Sequence, residues 1–113
     1  MRSRRLSGIS GLIIDVDGTL LAHERAIPGA AELLAACTRQ GMPYRIVTNT
    51  TRRSRAATAA ALRSAGLAVA DDVVLPPAVL ARRLILDSGR PRAGLLVPEE
   101  VRGDLAGVLE DAR

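Results

Sequence analysis

The sequence predicts an α/β fold, a parallel sheet whose strands are joined by helices through right-handed crossovers. Three observations carry that prediction. Apolar runs of strand length recur at Leu12-Ile13-Ile14, Tyr44 to Thr48, Val73-Val74-Leu75 and Gly94 to Val97. Stretches whose apolar residues fall at helical spacing separate these runs. The polar residues Asp15, Asp17, Thr48 and Asn49 follow or close the first two runs. The carboxyl ends of parallel strands are where such sheets bind ligands.

Element by element, the first strand is expected over 11–15, followed by a loop holding His23, Glu24 and Arg25. Pro28 suits a first helical turn. The helix it opens runs to about Gln40, with Leu33, Leu34 and Cys37 on one face and Gly41 as its C-terminal cap. The second strand is Tyr44 to Thr48. After the polar cluster Asn49 to Arg53, Ser54 is placed to cap an alanine-rich helix that ends near Gly66. The third strand is Val73-Val74-Leu75, and Pro76-Pro77 stops it and opens a helix with Val79, Leu80 and Leu84. Gly89-Arg90-Pro91 reads as a loop, Gly94 to Val97 as a fourth strand, and about 99–110 as a last helix.

A length of 113 residues fits one domain with a real core, and 48 % hydrophobic residues is ordinary for a globular chain. Aromatics are 1 %, the single Tyr44, so the core is built from Leu, Ile, Val and Ala. The net charge of +4 comes from 16 basic and 12 acidic residues, and every basic one is arginine. A basic balance raises nucleic acid as a partner. The absence of base-stacking aromatics and the scatter of the arginines argue against it. Only Arg2, Arg4 and Arg5, and Arg52, Arg53 and Arg55, cluster, and such groups usually form a solvated face. Cys37 is the sole cysteine, so a reduced, cytoplasmic setting is the default. No run approaches the roughly 18 apolar residues of a membrane span, and membrane partners are not expected.

The chemistry lies at the ends of the first two strands. A phosphate ester repels a carboxylate unless a cation offsets the charge. Mg²⁺ does so with oxygen ligands and retained waters. Asp15 at the strand tip is then placed to attack, and Asp17 to protonate the leaving oxygen and later deprotonate water. Gly18 would let the backbone approach phosphoryl oxygens, and Thr19 adds a hydroxyl. Thr48 offers a second hydroxyl and Asn49 an amide. A calcium-loop reading of the same acids would put Ile13, which cannot ligate, at the first ligand position.

These residues resemble the haloacid dehalogenase-like (HAD) superfamily of phosphatases. The D-x-D-G-T pattern after an apolar strand matches Asp15, Asp17, Gly18 and Thr19, and the Thr that ends the next strand matches Thr48. The stretches Ile27 to Ala30, Val47 to Thr51 and Arg63 to Leu67 are similar to the branch of NagD-like and phospholysine/phosphohistidine/inorganic-pyrophosphate phosphatases. The resemblance implies a three-layer, Rossmann-like parallel sheet, here incomplete, with residues 1–92 as the N-terminal part of the core and 93–113 as the start of a cap domain. It implies Asp15 as nucleophile and Mg²⁺ ligand, and Asp17 as general acid/base whose backbone carbonyl also ligates the metal. Gly18, Thr19, Thr48 and Asn49 would hold the phosphoryl group of a small phosphorylated substrate. Homo-oligomerisation of the full-length protein stays open.

Two further family motifs are expected after the cap, a Lys (sometimes Arg) and an acidic pair that completes the metal site. The chain has no Lys. Within Val97 to Asp104, Pro98 stands where Gly belongs and Glu99 where Asp belongs. Whether Glu99 or Asp104 substitutes for the distal acids stays open, and a strand and acidic turn leading into the cap is the preferred reading. The chain then reads as the N-terminal part of a longer phosphatase, impaired by itself. The alternative is a non-catalytic phosphate-binding module or decayed enzyme. An unpaired edge on the first strand, and with it poor stability or self-association, follows from the same reading.

Overall fold

The computed structural model describes residues 7–111, so Arg2, Arg4 and Arg5 lie outside the described residues. The chain runs through β1 (Leu12–Asp15), β2 (Leu21–Ala22), β3 (Arg25–Ala26), α1 (Ala30–Arg39), β4 (Tyr44–Val47), α2 (Arg55–Ser64), β5 (Val74–Leu75), α3 (Pro77–Asp87), β6 (Arg92–Ala93) and β7 (Leu109–Glu110). Short 3₁₀ segments cover Asp71–Val73 and Glu99–Leu105.

Strands β1, β4 and β5 form a parallel sheet in that order. The register sets Ile14 beside Ile46 and Ile46 beside Val74. All three are buried, and residues in register share a face because strand side chains alternate. Ala30 and Leu34 of α1 and Ala59 and Leu62 of α2 close over them, giving the aliphatic core that the composition requires. Ile13, one residue out of step, is 79 % exposed on the outermost strand.

The helix ends follow local chemistry. The Ser54 hydroxyl accepts the Ala57 N–H at 3.1 Å, satisfying a donor that the first turn of α2 leaves free. At the other end Gly66 takes φ 94°, a left-handed conformation that a side chain would strain. It donates to Arg63 O while Leu67 donates to Leu62 O, and Leu67 turns into the core. Gly41 and Met42 close α1 on Thr38 and Cys37 in the same way, and Cys37 is buried. Pro77 opens α3 where no N–H is needed.

Three expectations need correction. The loop of His23, Glu24 and Arg25 is the tip of a hairpin, β2 pairing antiparallel with β3. His23 and Glu24 both take positive φ, as a two-residue hairpin turn requires, but neither is the Asn or Gly that signals one. The strand expected at Gly94 to Val97 is absent. Arg92–Ala93 instead pairs with Leu109–Glu110 in a separate ribbon, and Leu96 is fully exposed. The helix expected over about 99–110 is a 3₁₀ segment that stops at Leu105. Val101 and Leu105 are buried at helical spacing, which is the pattern the sequence displays. Gly103 and Gly107 weaken a helix there, and the chain turns at Gly107 to enter β7.

Candidate active site

Parallel pairing brings the two chemical strand ends together. Asp15 closes β1 opposite Val47, so Thr48 and Asn49 emerge at the same level as Asp15 and Val16. Asp15, Asp17, Val47, Thr48 and Asn49 line one cleft of about 460 Å³. Both carboxylates are exposed to it, whereas Thr48 is only 8 % exposed. The Thr48 Oγ accepts the Thr50 N–H at 3.2 Å, which fixes the side chain and leaves its own proton for a ligand.

One carbonyl gathers three donors in the turn after β1. Val16 O accepts N–H groups from Thr19, Leu20 and Leu21 at 3.1, 2.9 and 3.0 Å. Gly18, at φ 79°, donates its own N–H to Leu21 O at 2.8 Å. Leu20 and Leu21 are thereby buried under the turn, and Asp17 is carried to the cleft. Gly18 and Thr19 are exposed and lie outside the cleft lining.

Several acids outside the cleft have structural partners. The Asp104 carboxylate accepts the backbone N–H of Arg55 at 2.7 Å, at the start of α2, where negative charge is favoured. Glu99 pairs with Arg102 at 3.1 Å. Arg102 also grips Glu110 with two nitrogens, at 2.6 and 3.1 Å, and this holds the Glu110 carboxyl below its ordinary pKa. Asp71 pairs with Arg63 at 2.9 Å. Among the described residues no group of three or more His, Cys, Asp or Glu is placed to hold a metal ion. The acids that line the cleft are Asp15 and Asp17, oxygen donors of the kind that suit Mg²⁺, which is commonly held by one or two carboxylates together with substrate phosphate and water.

Of the arginines near the site, Arg55 donates Nε to Val74 O at 2.8 Å and so ties α2 to β5. Arg53 stands 3.9 Å from Glu24, bringing the start of α2 to the hairpin tip. Sequence reasoning missed Thr58, a buried polar residue of α2 on a second cavity beside the cleft. The available signal was a hydroxyl residue set among the alanines of α2. No helix among the described residues is long and apolar enough to cross a membrane.

The chain matches the family described as haloacid dehalogenase-like hydrolase over residues 12–109. It is 31 % identical over 108 residues to haloacid dehalogenase-like hydrolase domain-containing protein 2 of Rattus norvegicus, covering 96 % of this chain and 40 % of that protein. It is 30 % identical over 105 residues to the phospholysine phosphohistidine inorganic pyrophosphate phosphatase of Homo sapiens, covering 89 % and 38 %. NagD from E. coli K-12 superimposes with a TM-score of 0.78 at 27 % identity, over 86 % of this chain and 39 % of that one. The glycerol phosphate phosphatase from Mycobacterium tuberculosis in complex with magnesium does so with a TM-score of 0.75 at 26 % identity, over 92 % and 32 %. The chain thus spans about two-fifths of the length of the curated relatives it matches. With the paired aspartates and the strand-end threonine in one cleft, the chain belongs to the haloacid dehalogenase-like hydrolase family, in the branch of NagD and the phospholysine phosphohistidine phosphatases.

Proposed function

We propose that the chain carries the nucleophile-bearing part of a Mg²⁺-dependent phosphatase site that works through an aspartyl-phosphate. The supporting observation is the single cleft lined by Asp15, Asp17, Thr48 and Asn49. In this reading a carboxylate oxygen of Asp15 attacks phosphorus, and the bond from phosphorus to the leaving oxygen or nitrogen breaks. Asp17 gives the departing atom its proton. Water then attacks the phosphorus of the aspartyl-phosphate, Asp17 takes the proton from that water, and Asp15 is regenerated as phosphate leaves. The Thr48 hydroxyl and the Asn49 amide hold phosphoryl oxygens, and Gly18 shapes the turn that carries Asp17. Asp15 and Asp17 would hold Mg²⁺, which when bound neutralises charge on the phosphoryl oxygens.

The substrate class is a small phosphoric ester, phosphoramide or pyrophosphate, in a cytoplasmic setting consistent with the free Cys37. Residues 1–92 are assigned to the core and 93–113 to the start of a cap. This is supported by β6 and β7 pairing with each other outside the main sheet. The test is Mg²⁺-dependent hydrolysis of an aryl phosphate by the whole chain and by Asp15→Asn. Weak turnover that Asp15→Asn abolishes is expected. Turnover that survives the substitution removes Asp15 as nucleophile.

A second reading has its own observation. The chain has no Lys, and no third acid joins Asp15 and Asp17 among the described residues. On that ground the chain by itself would be a phosphate-binding module. Calorimetry showing Mg²⁺-dependent phosphate binding without turnover selects it.

A further inference from the structure

Asp17 and Thr48 border not only the phosphoryl cleft but also a second cavity of about 420 Å³, walled by the hairpin tip and by α2. Thr58, in its wall, is 5 % exposed, and its Oγ1 has no hydrogen-bond partner. A helical threonine commonly returns its hydroxyl to the carbonyl four residues back. Thr38 in α1 does this, to Leu34 O at 3.2 Å. Thr58 does not. Ser64, further along α2, also lines the cavity, and Thr50 adds another hydroxyl from the loop after β4.

The charge lining the cavity selects its guest. Glu24 and Arg53 face each other across the rim at 3.9 Å and offset one another. Asp17 borders the cavity where it meets the phosphoryl cleft. A second anion would meet Glu24, and a wholly apolar guest would leave the Thr58 hydroxyl buried and unpaired. A guest hydroxyl both donates and accepts, as the hydroxyls of Thr58, Thr50 and Ser64 do.

We propose that this cavity seats the leaving group of the ester and that this group is an uncharged alcohol bearing several hydroxyls, recognised through Thr58. The assignment rests on the reading of Asp15 and Thr48 as the phosphoryl site, because it is continuity with that site that makes the cavity a leaving-group pocket.

The experiment compares erythritol phosphate with n-butyl phosphate, which share a carbon skeleton and differ in hydroxyls. Binding to the whole isotope-labelled chain in Mg²⁺ is followed by amide chemical shifts, with inorganic phosphate and free erythritol alongside. Erythritol phosphate should bind about tenfold more tightly, the worth of one or two well-made hydrogen bonds. Thr58→Val should erase that difference and leave the affinity for butyl phosphate unchanged. Ser64→Ala, at an exposed position, should give a smaller loss of the same kind, and it serves if Thr58→Val fails to fold. Equal affinities for the two esters, or equal losses for both in the variants, overturn the proposal. If inorganic phosphate leaves Thr48 unmoved while free erythritol shifts Thr58 and Ser64, the phosphoryl reading fails and the cavity remains a polyol site. If phosphate shifts Thr48 and erythritol shifts nothing on α2, the cavity proposal falls alone.

Discussion

Tyr44, the only aromatic side chain, sits partly buried beside Leu12 at the start of β4. Burial raises its phenol pKa above the ordinary value, and the nearby Cys37 and Asp72 push the same way. The folded state therefore favours the neutral phenol. The associated stability is present below the unfolded value of about 10 and is lost as pH rises through the folded value. Urea midpoints measured from neutral to strongly alkaline pH should fall at the alkaline end, and Tyr44→Phe should remove that part of the decline. At the candidate site the residues that meet in the cleft were legible, because Asp15, Asp17, Thr48 and Asn49 follow or close two apolar strands. What Asp104 does was not. Its carboxylate meets Arg55, 49 positions away, and no local pattern encodes that contact.

Elements were legible where their signals are local. Ser54, Gly66, Pro77 and the apolar spacing each act within a turn of the residue concerned, and α1, α2 and α3 fall where they point. Ser54→Ala should cost about 1 kcal/mol by loss of the bond to Ala57, measured as a lower midpoint in chemical denaturation with an unchanged slope. The hairpin of β2 and β3 escaped because two-residue strands carry no periodicity, and His23 and Glu24 adopt positive φ without the usual turn residues. The stretch after α3 escaped for another reason. Gly94 to Val97 has strand composition but no adjacent strand to pair with. Val101 and Leu105 have helical spacing but answer to α3 and to a cavity of about 280 Å³ that they share with Ala78, Ala81 and Ile85. Propensity loses there to packing.

At the scale of the whole molecule, the radius of gyration is 16.3 Å, against about 13 Å for a compact domain of about 100 residues. The excess fits a sheet of three strands with β1 at its margin and Ile13 exposed, together with a β6–β7 ribbon that does not join it. An apolar strand with free backbone groups invites pairing with another chain. The chain is expected to show a mass above the monomer in light scattering, and Ile13→Lys to shift it toward monomer. A monomeric wild-type sample that melts cooperatively would count against this. The chain spans about two-fifths of its curated relatives, and among the described residues no third acid joins Asp15 and Asp17.

The sequence by itself determined the fold class, the three helices, the strands β1, β4 and β5 and the residues of the candidate cleft. Each of these follows from short-range patterning and from the rule that parallel strands present their carboxyl ends on one side. Tertiary structure decided what short-range patterning cannot. It turned Glu99 and Asp104 to partners other than the cleft, it paired Arg92–Ala93 with Leu109–Glu110, and it left the Thr58 hydroxyl buried without a partner. Those outcomes depend on which groups meet across long separations, and that is fixed only when the core has closed.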